Sequence, residues 1–208
     1  MIELTGRVDL YWLPLGAGGH SVRWNGRIYE AVKARLDGRR PLALYHSALQ
    51  VHLGPDTYVI EQAPEPDLTG ESRGVVAEGP VGARWAGRFR IFRYEIRVWQ
   101  GGNIPDVAEA VDSPRRLSTD ATVARRVLDV AHEIPTPVWG RDELGTGEMW
   151  NSNAVIAWIL SKSGIDAASI QPPRAGLAPG WRAGVVVAGR DSTPPESRNS
   201  ALNEKRTA

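Results

Sequence analysis

Residues 42 to 64 read LALYHSALQVHLGPDTYVIEQAP, two alternating runs on either side of Gly54-Pro55-Asp56. A period of two interrupted by a glycine-proline turn predicts an antiparallel hairpin. Successive side chains of a strand face opposite ways, so Leu44, His46, Ala48 and Gln50 share one face. With the turn at Leu53 to Asp56, His52 stands opposite Thr57, Ala48 opposite Glu61 and His46 opposite Ala63. His46 and Glu61 are then diagonal neighbours, within reach of a long side chain. A slip of one residue would carry Glu61 to the other face, so that pair stands or falls with the register.

The neighbouring segments extend this β-rich first half. Val8 to Leu15 (VDLYWLPL) is aromatic and strand-prone. The Asn25-Gly26 pair inside VRWNGRIYEAV predicts another hairpin. Glu65 to Gly82 is rich in Pro, Gly and acids and is expected to be a long loop. Gly87 to Trp99 (GRFRIFRYEIRVW) is expected to be one strand, with Arg93, Glu95 and Arg97 on a solvated face.

The second half changes period. Asp106 to Val111 suggests a short helical turn. Ser118 to Ala131 predicts an amphipathic helix, capped by Ser118, with Val123, Val127 and Val130 as its stripe. A proline-bounded loop leads to a second helix starting near Ser152 and ending at Gly164, a good residue for a helix C-terminus. Gly180 to Gly189 (GWRAGVVVAG) suggests a last strand. Strands first and helices later imply an α+β fold, an antiparallel β-sheet with helices packed on it. One domain over residues 1–189 is expected, with 190–208, almost without apolar residues, as a disordered tail.

Composition narrows the function classes. Twenty-five Lys and Arg against 24 Asp and Glu give a formal charge of +1, no footprint for nucleic acid or an anionic membrane. No apolar run approaches the ~20 residues of a membrane span, and the first residues lack a signal-peptide pattern, so a cytoplasmic location is expected. With no cysteine there is no thiolate zinc site and no Cys nucleophile. Imidazole chemistry must come from His20, His46, His52 or His132. No cofactor or metal site is expected. The glycines of Asp142 to Met149 (DELGTGEM) precede a helix, but no Gly-Lys-Ser/Thr follows, so the phosphate-loop pattern fails.

Ser152 stands between Asn151 and Asn153 at the start of GEMWNSNAVIAWIL. It lies on the stripe of Val155, Ile156, Ile159 and Leu160. Two roles are open to it. It is a residue type preferred at helix N-termini, as is Asn151. It is also a hydroxyl placed where the unpaired amides of a first helical turn can hold an oxyanion. The second role needs a base, and His46, oriented by Glu61, is the best available, giving a triad in the order His, Glu, Ser.

The segments HSALQVHLGPDTYVIE and WNSNAVIAWIL together resemble the circularly permuted branch of the NlpC/P60 papain-like superfamily. That branch includes lecithin:retinol acyltransferase-like proteins, the PPPDE proteases and the permuted papain-like amidases. The resemblance implies His46 in the histidine's place, Glu61 as the third polar residue and Ser152 where those families carry cysteine. It further implies a hydrolase or acyltransferase acting on an amide, ester or thioester, with a small-molecule, peptide or acyl substrate. Asn151, Asn153, Trp150 and His20 would line its cleft. Serine is far less acidic than cysteine, so the same histidine would have to do more. The alternative is an inactive papain-like domain that binds a peptide, lipid or acyl ligand in that cleft.

Overall fold

The computed structural model describes residues 5–15, 42–63 and 73–191. Its centre is a six-stranded sheet whose named pairs are all antiparallel. The strands are β1 (Gly6–Pro14), β2 (Tyr45–Leu53), β3 (Asp56–Ala63), β4 (Val75–Pro80), β5 (Arg93–Gln100) and β6 (Arg115–Ser118), in the order β4-β5-β3-β2-β1-β6. Three helices among the described residues, α1 (Ala121–Val130), α2 (Ser152–Lys162) and α3 (Trp181–Asp191), complete an α+β architecture. The Asn25-Gly26 hairpin and the tail beyond Asp191 lie outside the described residues.

The β2–β3 hairpin has the expected register, with His52 opposite Thr57 and Leu53 opposite Asp56. Gly54, at φ 59, supplies the left-handed residue that a two-residue hairpin loop needs. Pairing of β2 with β3 runs only to Leu49 and Ile60. Beyond that point β3 stays with β5 as far as Ala63 and Glu95, while β2 stays with β1 down to Tyr45 and Pro14. The two strands of the hairpin therefore part company at the end where His46 sits.

One face of the sheet, carrying Val8, Leu10 and Trp12 of β1, Tyr45, Leu49 and Val51 of β2, Ile60 of β3 and Ile96 of β5, forms the main core with the helices. Residues Asn153 to Leu160 of α2 are all buried. A helix that is apolar on every side belongs inside, and α2 lies between the sheet and α3. The expected single stripe on this helix is thus replaced by burial all round. Leu13, Ala48, Val59 and Ile104 form a second, smaller cluster on the opposite face.

Several sequence expectations change. Gly180 to Gly189 lies within helical α3 rather than a strand. Its β-branched run, Val185 to Val187, favours extended structure, but Ala183, Gly184, Val187 and Ala188 form a small-residue helical face that packs on α2. The loop expected over 65–82 contains β4. The strand expected from Gly87 starts only at Arg93, after 3-10 turns at Arg84–Arg88 and Arg90–Phe92. Its Glu95 and Arg97 are buried, not solvated. Helix α1 is capped by Asp120, whose carboxylate accepts from the Thr122 amide at 2.6 Å, and Ser118 ends β6 instead. Helix α2 ends as expected, with Gly164 at φ 86 and its amide bonded to the Ser161 carbonyl.

Candidate functional site

Asn151, not Ser152, caps α2. Its side-chain oxygen accepts from the amides of Asn153 and Ala154 at 3.0 and 3.2 Å, and its Nδ2 donates to the Pro179 carbonyl at 2.8 Å. Two of the amides that an oxyanion would need are thereby engaged. Ser152 follows as the first helical residue, half-buried, and none of the hydrogen bonds among the described residues involves its hydroxyl.

Asn153 is buried and ties the helix to the sheet. Its Nδ2 donates to the carbonyls of Tyr45 (2.9 Å) and Pro179 (3.0 Å), and its Oδ1 accepts from the Ser47 hydroxyl at 2.9 Å. Both of its donors and one of its two acceptor lone pairs are used inside the fold. Trp150 and Trp158 are each 2% exposed and belong to the core, so neither walls an open cleft. Asn153, Trp150 and Trp158 are structural here, and the cleft expected between the hairpin and α2 is filled by these contacts.

His46 lies on the other side of the sheet. Tyr45 and Ser47, its neighbours in β2, face the helices, and strand alternation turns His46 toward the second cluster, opposite Leu13 of β1. Burial lowers its imidazole to about 4, with the Asp106 carboxylate pulling weakly the other way. It is therefore neutral at pH 7, and no hydrogen bond among the described residues reaches it. Glu61 shares this face, as the register requires, but serves Arg97. The guanidinium lies 3.5 Å from Glu61 and 2.7 Å from Glu95. Burial raises the Glu61 carboxyl, and the Arg97 and Arg73 charges oppose that shift.

The expected triad is thus not assembled. The sheet separates His46 from Ser152, and the parting of β2 from β3 leaves Glu61 with the cation of the next strand. His20 lies outside the described residues. His132 is exposed in the 3-10 turn Ala131–Glu133.

The glycine loop before α2 is closed by its own acid. The Asp142 carboxylate accepts from the Thr146 amide (2.7 Å), the Gly147 amide (2.8 Å) and the Thr146 hydroxyl (3.1 Å). The amides hold the Asp142 carboxyl below its ordinary value. Glu148 accepts from the Gly180 amide at 2.9 Å. The loop carries its own anion where a phosphate would have to bind.

The polar network that sequence reasoning missed spans β1, β2, β3 and β6. Buried Asp9 is held by Arg7 at 2.8 Å and by Arg116. Arg7 also reaches His52, whose other nitrogen meets the Thr57 hydroxyl at 2.9 Å. The i, i+2 spacing of Arg7 and Asp9 was its only trace in sequence. Among the described residues no group of three or more His, Asp or Glu is placed to hold a metal ion, and no helix is long and apolar enough to cross a membrane. No family model, no curated protein and no solved structure matches the chain.

Proposed function

We propose that the chain is an inactive relative of the permuted papain-like domains, a binding domain for a small acyl or peptide ligand. The observation that carries this reading is the position of His46 and Ser152 on opposite sides of the sheet, which leaves the hydroxyl without a base. The engaged amides of Asn153 and Ala154 support it further.

The ligand is taken on the face of His46. A neutral imidazole offers one donor and one acceptor. Leu13, Ala48, Val59 and Ile104 are buried beneath this face, so a ligand would meet the half-buried His46 and Tyr11 rather than those side chains. An imidazole over an apolar layer suits a carbonyl-bearing apolar ligand.

Two measurements test the proposal. Intact-protein mass after a fluorophosphonate probe should show no adduct on Ser152, and an adduct absent from Ser152→Ala and His46→Ala would restore catalysis. Addition of octanoate or an N-acyl dipeptide should shift the His46 ring resonances of the folded chain. Unmoved resonances with both ligands would remove the binding reading.

A further inference from the structure

Trp85 (67% exposed), Phe89 (48%), Ile91 (67%) and Phe92 (44%) stand within eight consecutive positions. A lone exposed apolar residue means little, but three aromatics and an isoleucine gathered on two adjoining 3-10 turns form a patch. The turns hold a defined shape. The Phe89 amide bonds to the Ala86 carbonyl at 2.9 Å, the Val81 amide to the Phe92 carbonyl at 2.8 Å, and the Arg93 side chain to the Gly87 carbonyl. Ala86 is the one residue of the two turns that is buried.

Charge is concentrated in the same place. Arg84 to Arg93 contains four arginines and no acid, in a chain whose formal net charge is +1. The Arg88 guanidinium lies 4.9 Å from the centre of the Phe89 ring and 5.8 Å from that of Trp85. Arg84 and Arg93 are ion-paired with Glu143 at 2.5 Å and Glu78 at 2.9 Å, so the cation held against the exposed rings is Arg88.

We propose that Arg84–Phe92 docks on an anionic lipid bilayer, with Trp85, Phe89, Ile91 and Phe92 entering the headgroup region and Arg88 at the level of the lipid phosphates. Tryptophan at the boundary, with arginine extending along apolar side chains toward phosphate, is the chemistry of interfacial anchoring. An acidic protein partner would be met by the same charges. A short turn bearing four large apolar side chains suits a fluid interface better than a fixed surface, which needs matching pockets. This docking is independent of the ligand proposed for the face of His46.

The test is co-sedimentation of the full chain with vesicles of phosphatidylcholine alone, or with about a quarter phosphatidylglycerol, a fraction that supplies the negative surface potential. The chain should sediment with the anionic vesicles and not with the neutral ones. Trp85→Ser combined with Ile91→Ser, and separately Arg88→Glu, should each weaken binding about tenfold or more. All these side chains are exposed, and unchanged circular dichroism would show that the fold persists. Brominated lipid should quench the wild type more than Trp85→Phe. Absence of binding, or binding undiminished by both variants, overturns the proposal. Binding to polyglutamate but not to anionic vesicles overturns it in favour of an acidic protein partner.

Discussion

The Ser47 hydroxyl donates to Asn153 Oδ1 at 2.9 Å, joining β2 to the first turn of α2 with both side chains buried. This contact occupies the place where a nucleophile and its base were expected to meet. Asn153→Ala would strand the Ser47 hydroxyl and remove the side-chain donor to the Tyr45 carbonyl. Its expected cost is about 2–4 kcal/mol, whereas Ser47→Ala should cost about 1 kcal/mol. Urea unfolding of the two variants measures both, and equal small losses would remove the structural role of Asn153.

The imidazole of His46 titrates at about 4 in the fold, against about 6.5 in an unfolded chain. Between these values the unfolded chain binds a proton that the folded chain refuses. The His46 contribution is therefore intact above about pH 6.5, falls as pH drops, and stops falling below about 4. Wild type should lose about 3 kcal/mol relative to His46→Gln across that window. Parallel stability curves for the two proteins from pH 7 to 4 would show that His46 is not desolvated.

Arg97 is 5% exposed at its side chain and faces two carboxylates, Glu95 and Glu61. Arg97→Met would leave them buried without this cation, an expected loss of about 3–5 kcal/mol. The loss should shrink at low pH, because Glu61 is already shifted upward by burial and would protonate more readily without the arginine. Thermal melts at pH 5 and pH 8 test this, and a pH-independent loss would contradict it.

Two glycines of α3 should respond in opposite directions. A Cβ on Gly184 would lie 2.1 Å from the Ala154 carbonyl oxygen and 2.8 Å from the Trp158 nitrogen, both backbone atoms of α2. Gly184→Ala must separate the helices and should cost about 3 kcal/mol or more. At Gly189 nothing lies within 4 Å of the added atom. Gly189→Ala should therefore stabilise the helix by about 0.5–1 kcal/mol. Melting temperatures that move in the same direction would refute this reading of the α2–α3 contact.

What the sequence made legible was local. The alternation of Tyr45 to Ala63 and its glycine turn gave the hairpin register, and Gly164 gave the end of α2. The site was not legible because it depended on which face of β2 meets the helices. Leu49 and Val51 against Ala48 and Gln50 hold that answer, but His46 and Ser47 are both plausible inward residues by type. The parting of β2 from β3 leaves no mark on either strand, since β5 and the helix make it possible from far along the chain. Helix α3 was hidden by three consecutive valines, whose preference for strands is outweighed by close packing on α2.

Where β3 leaves β2, the peptide groups of Tyr45 do not go unpaired. The amide donates to the Leu177 carbonyl at 2.8 Å, and the carbonyl accepts from the Asn153 carboxamide at 2.9 Å. A side-chain amide and a distant loop thus stand in for a missing strand, one of them 108 residues away in sequence. Such late partners make for slow assembly. During synthesis, the seam beside Tyr45 must wait for residues beyond Leu177 to leave the ribosome. A nascent chain shortened before that point would display an unsatisfied strand edge, the surface on which chaperones and neighbouring chains act.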